Sequence, residues 1–177
     1  MQGVYLSWTD RRQLSPCKKN SEGKLIILDQ HAVHEKILYE RYSDKRFRAT
    51  QKLLSKIEID IPKDRDIGFV MELKEIGFDF DIIDGKIFIF EVPAYLSSLE
   101  AEEVILEYVN SGRDGIDDLI KMVACKKAIK ANTRLEVWEA KELIKQWLDC
   151  RDRDFCPHGR PASMVLSRKE LDRMFKR

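Results

Sequence analysis

The chain has 177 residues, of which 44% are hydrophobic and 36% are charged. This length and balance predict one globular domain with a soluble surface and a sizeable core. No apolar stretch is long enough to span a membrane, and the N-terminus lacks the basic start and apolar run of a signal peptide, so export is not expected. The net charge of +1 argues against nucleic-acid binding by overall field alone, since such binding needs several phosphate contacts.

Two strands are predicted near the N-terminus, at Val4 to Trp8 and at Lys24 to Leu28, with a charged loop over residues 9 to 23 between them. The second strand is an unbroken apolar run, which is typical of a strand buried on both faces. Asp29 follows it and is expected to cap a helix that continues to about residue 41 or 42.

Imidazole and carboxylate groups cluster at the start of this helix. At about 100° per residue, His31 and Glu35 lie one turn apart on one face, so they can share one cation. Glu40 falls about 180° from His31 and is interpreted as an ion-pairing or structural residue. Alternatively, Asp29 only caps the helix and the glutamates form solvated pairs with nearby lysine and arginine side chains.

The middle of the chain is predicted to form a second lobe. The segment Gln51 to Ile61 is expected to be a connector that Pro62 closes. A helix is predicted from Asp64 to about Gly77. A hairpin should follow, because two apolar alternating segments, 78–83 and 86–92, flank the turn sequence Asp84-Gly85.

The rest of the chain is predicted to be mostly helical. A helix is expected around Cys125, an apolar stripe at helical spacing includes Val137 and Trp147, and a short strand is expected at 162–166. Capping-box patterns are predicted to open three helices, at Ser97 with Glu100, Thr133 with Glu136, and Ser167 with Glu170. Strands and helices in this order give an α+β fold.

A second group of metal-ligand types stands near the C-terminus, in Cys156-Pro157-His158-Gly159-Arg160-Pro161. Proline favours extended backbone before it, and in extended chain residues two apart project to the same side. The Cys156 thiolate and the His158 imidazole can therefore hold one ion. Gly159 provides backbone angles that are closed to other residues.

Cys125 is a third candidate ligand, although buried free cysteine is often a small apolar residue, so both interpretations stay open. Cys17 and Cys150 carry no predicted role. Unpaired thiols inside such motifs indicate metal ligands sooner than disulfides in a reducing compartment.

Together these segments resemble the C-terminal endonuclease domain of the MutL family of DNA mismatch-repair proteins. The first matches the family signature of Asp-Gln-His-Ala, two residues, Glu, four residues, Glu at every defined position. The resemblance spans nearly the whole chain, with one departure, Lys126, where arginine or histidine is frequent. Its elements are Asp29 to Glu40, Ala124-Cys125-Lys126, Cys156 to Pro161 and Phe175-Lys176-Arg177.

The resemblance implies a homodimeric, metal-dependent endonuclease that hydrolyses one strand of duplex DNA. It implies a dimerisation and metal-site lobe from about residues 1–60 and 115–177, and a regulatory lobe from about 61–114. Zn²⁺ is assigned a structural and regulatory role at Glu35, Cys156 and His158, and Mn²⁺ a catalytic role near Asp29 and His31. The full site set adds Cys125 as a ligand, with Asp29, His31 and Glu35 as catalytic residues.

Partners follow from the same resemblance and from charge. Residues 151–177 contain eight basic and four acidic side chains, so weak contact with duplex DNA is expected. Gln51 to Leu54 resembles a sliding-clamp motif, although a charged connector is the commoner explanation, and a mismatch-recognition protein is a further implied partner. No ATP site, membrane contact or export is expected, which places the protein in the cytoplasm, at the nucleoid in a bacterium. The candidate phosphate contacts are Lys126, Lys130, Arg160 and Arg177.

The leading alternative is a non-catalytic domain that binds a structural zinc and serves for dimerisation and protein interaction. It is weakly disfavoured because a structural site has no use for Asp29 and His31 beside Glu35, Cys156 and His158.

Overall fold

A computed structural model describes residues 5–7, 24–44, 49–130 and 133–176. Its strands and helices form the predicted α+β fold. Across these residues, no helix combines the length and the apolar character needed to cross a membrane. The strands are β1 (Tyr5–Ser7), β2 (Leu25–Leu28), β3 (Thr50–Asp60), β4 (Asp79–Ile83), β5 (Lys86–Pro93) and β6 (Ser163–Leu166). The helices are α1 (Gln30–Ser43), α2 (Val70–Ile76), α3 (Ser98–Ser111), α4 (Ile116–Lys127), α5 (Val137–Asp149) and α6 (Arg168–Met174), with a short 3₁₀ helix at Ile67–Phe69.

The chain divides into two compact units. The first unit combines the described residues up to Leu38 with those from Ala128 onward, and the second spans Tyr39–Lys127. These limits differ from the predicted lobe limits near residues 60 and 115. The reason is that β3, expected to be a connector of the first lobe, pairs with β5 inside the second unit. The assignment of dimerisation and regulatory roles to two lobes stays a prediction.

The first unit contains a three-stranded sheet in which β2 lies between β1, parallel to it, and β6, antiparallel to it. Leu28 and Ile26 pack with apolar residues of α1 and α5. Leu28 is buried, whereas Leu25, Ile26 and Ile27 are all half-buried. The prediction that this strand is buried on both faces is therefore wrong, because both helices contact the same alternate residues.

The second unit contains an antiparallel sheet in the order β3-β5-β4. Apolar residues from this sheet form its core with α2, α3 and α4. The predicted connector at Gln51 to Ile61 is wrong, since all of it except Ile61 lies in β3. The predicted hairpin is confirmed, and Asp84 and Gly85 take φ values of 50° and 76°, as a type I′ turn requires.

Two predicted helix starts need correction. The helix expected from Asp64 begins later, because Asp66 caps the 3₁₀ helix by accepting the Gly68 N–H, and α2 follows that helix. The capping box predicted for Thr133 with Glu136 is formed by Glu136 with Glu139, so α5 begins at Val137. The Ser97–Glu100 and Ser167–Glu170 boxes are confirmed.

A substitution in the hairpin turn tests this account of the second unit. Gly85→Ala should lower the free energy of unfolding by about 1 to 2 kcal/mol, because a Cβ disfavours left-handed backbone. Gly68→Ala is the matched control, since Gly68 has no such φ and a Cβ added there would meet other atoms only at 3.8 Å or beyond. Denaturant unfolding, with hydrogen exchange of the β4 and β5 amides, measures both. Equal stability of the two variants would contradict the turn assignment.

Candidate metal centre

Asp29 fixes the start of α1, as predicted. Its Oδ1 accepts hydrogen bonds from the backbone N–H groups of His31 at 2.9 Å and Ala32 at 3.0 Å. Its own N–H donates to the carbonyl of Ala162 at 3.0 Å, next to β6. The cap therefore sets the first turn of α1 in register with the segment that follows the Cys-Pro-His loop.

His31 and Glu35 lie on one face of α1, as the helical spacing predicted. His31 Nε2 is 3.3 Å from Glu35 Oε1, and the Glu35 side chain is completely buried, at 0% exposure. Burial of an ionised carboxylate costs several kcal/mol unless positive charge or hydrogen bonds compensate it. Glu35 therefore requires cationic or proton-donating neighbours.

A backbone contact determines which nitrogen of His31 faces Glu35 with its lone pair. His31 Nδ1 lies 2.9 Å from the carbonyl oxygen of Ile129. A carbonyl only accepts, so Nδ1 carries the proton and donates it. In the neutral ring, Nε2 is then unprotonated and its lone pair faces a carboxylate oxygen. A metal ligand has this arrangement, because a histidine that binds a cation through one nitrogen donates from the other to a fixed acceptor.

The Cys-Pro-His loop brings a second imidazole to the same carboxylate. The Cys156 N–H donates to the Arg160 carbonyl at 2.8 Å, and the Gly159 N–H donates to the Cys156 carbonyl at 2.9 Å. Gly159 has φ 80°, which confirms the predicted need for glycine in this turn. In this tight loop Cys156 is buried, while His158 Nδ1 approaches Glu35 Oε2 to 3.5 Å.

The three donor types Glu35, Cys156 and His158 fit a zinc-type ion. One ligand atom from each lies within 4.8 Å of the others. Two donors on one tetrahedral zinc lie about 3.4 Å apart, given metal–ligand distances of about 2.0 to 2.3 Å. The His158–Glu35 separation of 3.5 Å is close to that value and exceeds the 2.7 to 2.9 Å usual for a charge-assisted hydrogen bond.

Other predicted site residues lie outside this three-donor group. Asp29 is exposed and uses Oδ1 for the cap, so its part in a metal site remains a prediction. Cys125 lies on α4 in the second unit and is half-buried. Glu40 lies on the part of α1 that belongs to the second unit and is half-buried, and its structural role is untested.

The candidate DNA contacts have different environments. Lys126 Nζ hydrogen-bonds to Glu103, which raises the pKa of the Lys126 ammonium and keeps it charged, but ties it to an acidic partner. Lys130 and Arg160 are exposed. Arg177 lies outside the described residues. The phosphate-binding role of all four residues stays a prediction.

His34 and Gln30 form contacts that the sequence interpretation missed. His34 Nδ1 accepts the Ile129 N–H at 2.9 Å. The buried Gln30 side chain donates through Nε2 to the carbonyls of Lys130 at 3.1 Å and Thr133 at 2.9 Å. Both side chains follow Asp29 within the first turns of α1, but their backbone partners lie about a hundred residues away, and nothing in a single sequence indicates such a pairing.

Comparison with known proteins gives a family. Residues 18–135 match the family described as the MutL C terminal dimerisation domain. The DNA mismatch repair protein MutL of Kosmotoga olearia is 37% identical over 86% of this chain and 27% of its own length. The MutL proteins of Fervidobacterium nodosum and Clostridium perfringens are 33% and 34% identical, over 86% and 88% of this chain and 28% and 25% of their own lengths. The chain thus spans about a quarter of the curated relatives it matches.

Metal content tests the three-donor group. Replacing Cys156 and His158 together with Ala should abolish bound zinc, because a thiolate and a neutral imidazole are its strongest donors here. Elemental analysis after purification in zinc-containing medium measures the stoichiometry. Cys150→Ala is the control, since Cys150 is a half-buried cysteine outside the group. Unchanged zinc in the double variant would rule out the ligand assignment.

Proposed function

The chain belongs to the family of MutL C-terminal dimerisation domains of DNA mismatch-repair proteins, and on that premise we propose that it also nicks one strand of duplex DNA with divalent cations bound at Glu35. The observation that supports this most is the position of the Glu35 carboxylate. Each of its oxygens faces one imidazole nitrogen, at 3.3 and 3.5 Å, and the carboxylate itself is buried in the first unit.

The two sides of Glu35 carry different donor sets. On one side, Cys156 and His158 add sulfur and nitrogen, a combination that favours zinc. On the other side, the His31 imidazole faces the second carboxylate oxygen, and Asp29 begins the same helix. A set of carboxylate and imidazole donors suits manganese. We assign Zn²⁺ a structural and regulatory role and Mn²⁺ the catalytic role.

Hydrolysis of a phosphodiester requires charge compensation, because the anionic phosphate repels the nucleophile. A bound divalent cation supplies that compensation and lowers the pKa of bound water. Glu35 and His31 provide ligands for the cation, and Asp29 holds the helix turn that carries them. The exposed Arg160 and Lys130 side chains offer positive charge to the DNA backbone.

A second candidate function is a zinc-stabilised dimerisation module without nicking activity. One observation favours it: the three-donor group needs neither Asp29 nor His31, and Asp29 is engaged as a helix cap. Loss of nicking without loss of zinc separates the two functions.

The nicking activity of the Asp29→Asn variant, compared with that of the unmodified domain, distinguishes the nuclease from the dimerisation module. Asparagine caps helices about as well as aspartate, so the fold and zinc content should persist. Loss of the negative charge should reduce manganese-dependent relaxation of supercoiled plasmid about a hundredfold or more. Asp66→Asn is the matched control, because Asp66 also caps a helix but lies in the second unit. Nicking by Asp29→Asn at the wild-type rate would refute the catalytic role of Asp29, whereas no manganese-dependent nicking by the unmodified domain would support the module.

Glu40→Gln provides a further comparison with Asp29→Asn. Since Glu40 is interpreted as structural, any loss of nicking in this variant should accompany a lower thermal midpoint. A large loss of nicking at unchanged stability would assign Glu40 a direct part in the site.

Homodimerisation is the second part of the proposal. The first unit exposes large apolar side chains, including Trp138 at 69% and Val165 at 51%. Exposed apolar residues of this size are typical of an interface when they are grouped. The isolated domain should therefore sediment as a dimer at micromolar concentration, and chelation should leave it dimeric because apolar burial does not need the metal.

Val165→Arg should weaken this dimer in analytical ultracentrifugation, because a charged side chain cannot be buried unpaired at an apolar interface. Met71→Arg is its control, since Met71 is equally apolar and 63% exposed but belongs to the second unit. A monomeric wild-type domain at high concentration would contradict the dimer.

A further inference from the structure

The backbone of Ile129 is held by two histidines of the same helix. Its N–H donates to His34 Nδ1 at 2.9 Å, and its carbonyl accepts from His31 Nδ1 at 2.9 Å. All three residues lie in the first unit, where the Ile129 side chain packs against the apolar core. The two rings, one turn apart on α1, therefore anchor the two polar backbone groups of one residue.

The two histidine rings must differ in whether Nδ1 carries a proton. A backbone N–H only donates, so His34 Nδ1 is unprotonated, whereas His31 Nδ1 carries the proton that it gives to the carbonyl. His34 does not belong to the Glu35, Cys156 and His158 group. Its contact with Ile129 is thus explained by the backbone and not by ligation.

The direction of the Ile129 carbonyl decides how His31 is presented. If the carbonyl moves, the His31 ring loses the acceptor that orients Nδ1–H and with it the direction of Nε2 toward Glu35. The Ile129 N–H and the Ile129 carbonyl are joined through one Cα, and His34 Nδ1 holds the N–H. Once the N–H is held, the carbonyl can move only by rotation about φ and ψ of Ile129. Fixing the N–H therefore restricts the carbonyl.

We propose that His34 is a positioning residue, which holds the Ile129 backbone so that His31 presents Nε2 to Glu35 and to a cation bound there. The two hydrogen bonds to the Ile129 backbone support the effect of His34 on the orientation of His31. Its consequence for cation affinity rests on the proposed function. Gln30 assists by donating to the next carbonyl, that of Lys130.

Three variants separate positioning from general stability. His34→Leu keeps the bulk but removes the acceptor. His34→Asn restores it, because the Asn Oδ1 is attached at the same distance from the backbone as the His Nδ1. Ile37→Val trims a buried core residue on the same helix and loosens the packing while leaving the acceptor in place.

The first measurement is hydrogen exchange of the Ile129 amide in metal-free protein. In His34→Leu the exchange rate should rise on the order of tenfold or more, as expected when a part-buried amide loses its acceptor. His34→Asn should restore slow exchange, and Ile37→Val should leave the Ile129 amide slow relative to its neighbours. Unchanged exchange in His34→Leu would overturn the inference whether or not the domain binds metal.

The second measurement is cation affinity. His34→Leu should weaken Mn²⁺ binding by about 10- to 100-fold, the usual effect of losing a group that orients a metal ligand. Zinc content should stay at the wild-type value, since Glu35, Cys156 and His158 are intact. Wild-type Mn²⁺ affinity in His34→Leu, or equal weakening in His34→Asn, would refute the positioning role. Absence of Mn²⁺ binding in the wild type would instead refute the proposed function, with the exchange result still valid.

Discussion

The burial of the Glu35 carboxylate is the constraint on which the candidate site depends. A side chain with 0% exposure cannot rely on water to stabilise its charge. The first unit surrounds it with two imidazoles and a thiol that come from α1 and from a loop more than a hundred residues later. The hydrogen bonds of that loop and the cap of α1 keep these groups in place without contacting the carboxylate.

The distances around Glu35 favour the proposed cation site over an ion-pair cluster. Protonated histidines would form short, charge-assisted hydrogen bonds to the carboxylate, at about 2.7 to 2.9 Å. The separations of 3.3 and 3.5 Å exceed that range, which agrees with the proposed cation ligands on the two sides of Glu35. The donation from His31 Nδ1 to a backbone carbonyl agrees with this, because it directs the other nitrogen toward Glu35.

Three features that depend on neighbouring residues were predicted correctly from the sequence. The Asp29 cap, the shared face of His31 and Glu35 and the turn at Gly85 all depend on residues within a few positions of one another, and all three were confirmed. The Cys-Pro-His loop was predicted to bring two ligands to one side through extended backbone, but the hydrogen bond from the Gly159 N–H to the Cys156 carbonyl closes a turn there instead. The ligand roles of Cys156 and His158 stay a prediction.

Elements that depend on distant partners were missed. The strand β3 resembled a connector because its register shifts between Lys52 and Ile57, which breaks the alternation that marks a strand. Leu54 within this stretch is fully exposed, so an apolar residue at this position does not mark a side of the strand that faces the core. The box at Glu136 was missed because glutamate is not a favoured cap, and the role of His34 depends on Ile129, which no local pattern indicates.

Crystallography can examine directly the proposed cation site at Glu35 and the Cys-Pro-His loop. Anomalous diffraction from crystals of the domain, recorded on both sides of the zinc absorption edge, tests it most directly. An anomalous peak is expected that disappears below the edge and lies within bonding distance of Glu35, Cys156 and His158, at about 2.0 to 2.3 Å. No peak at zinc-saturating concentration, with the three side chains in direct hydrogen-bond contact, would contradict it.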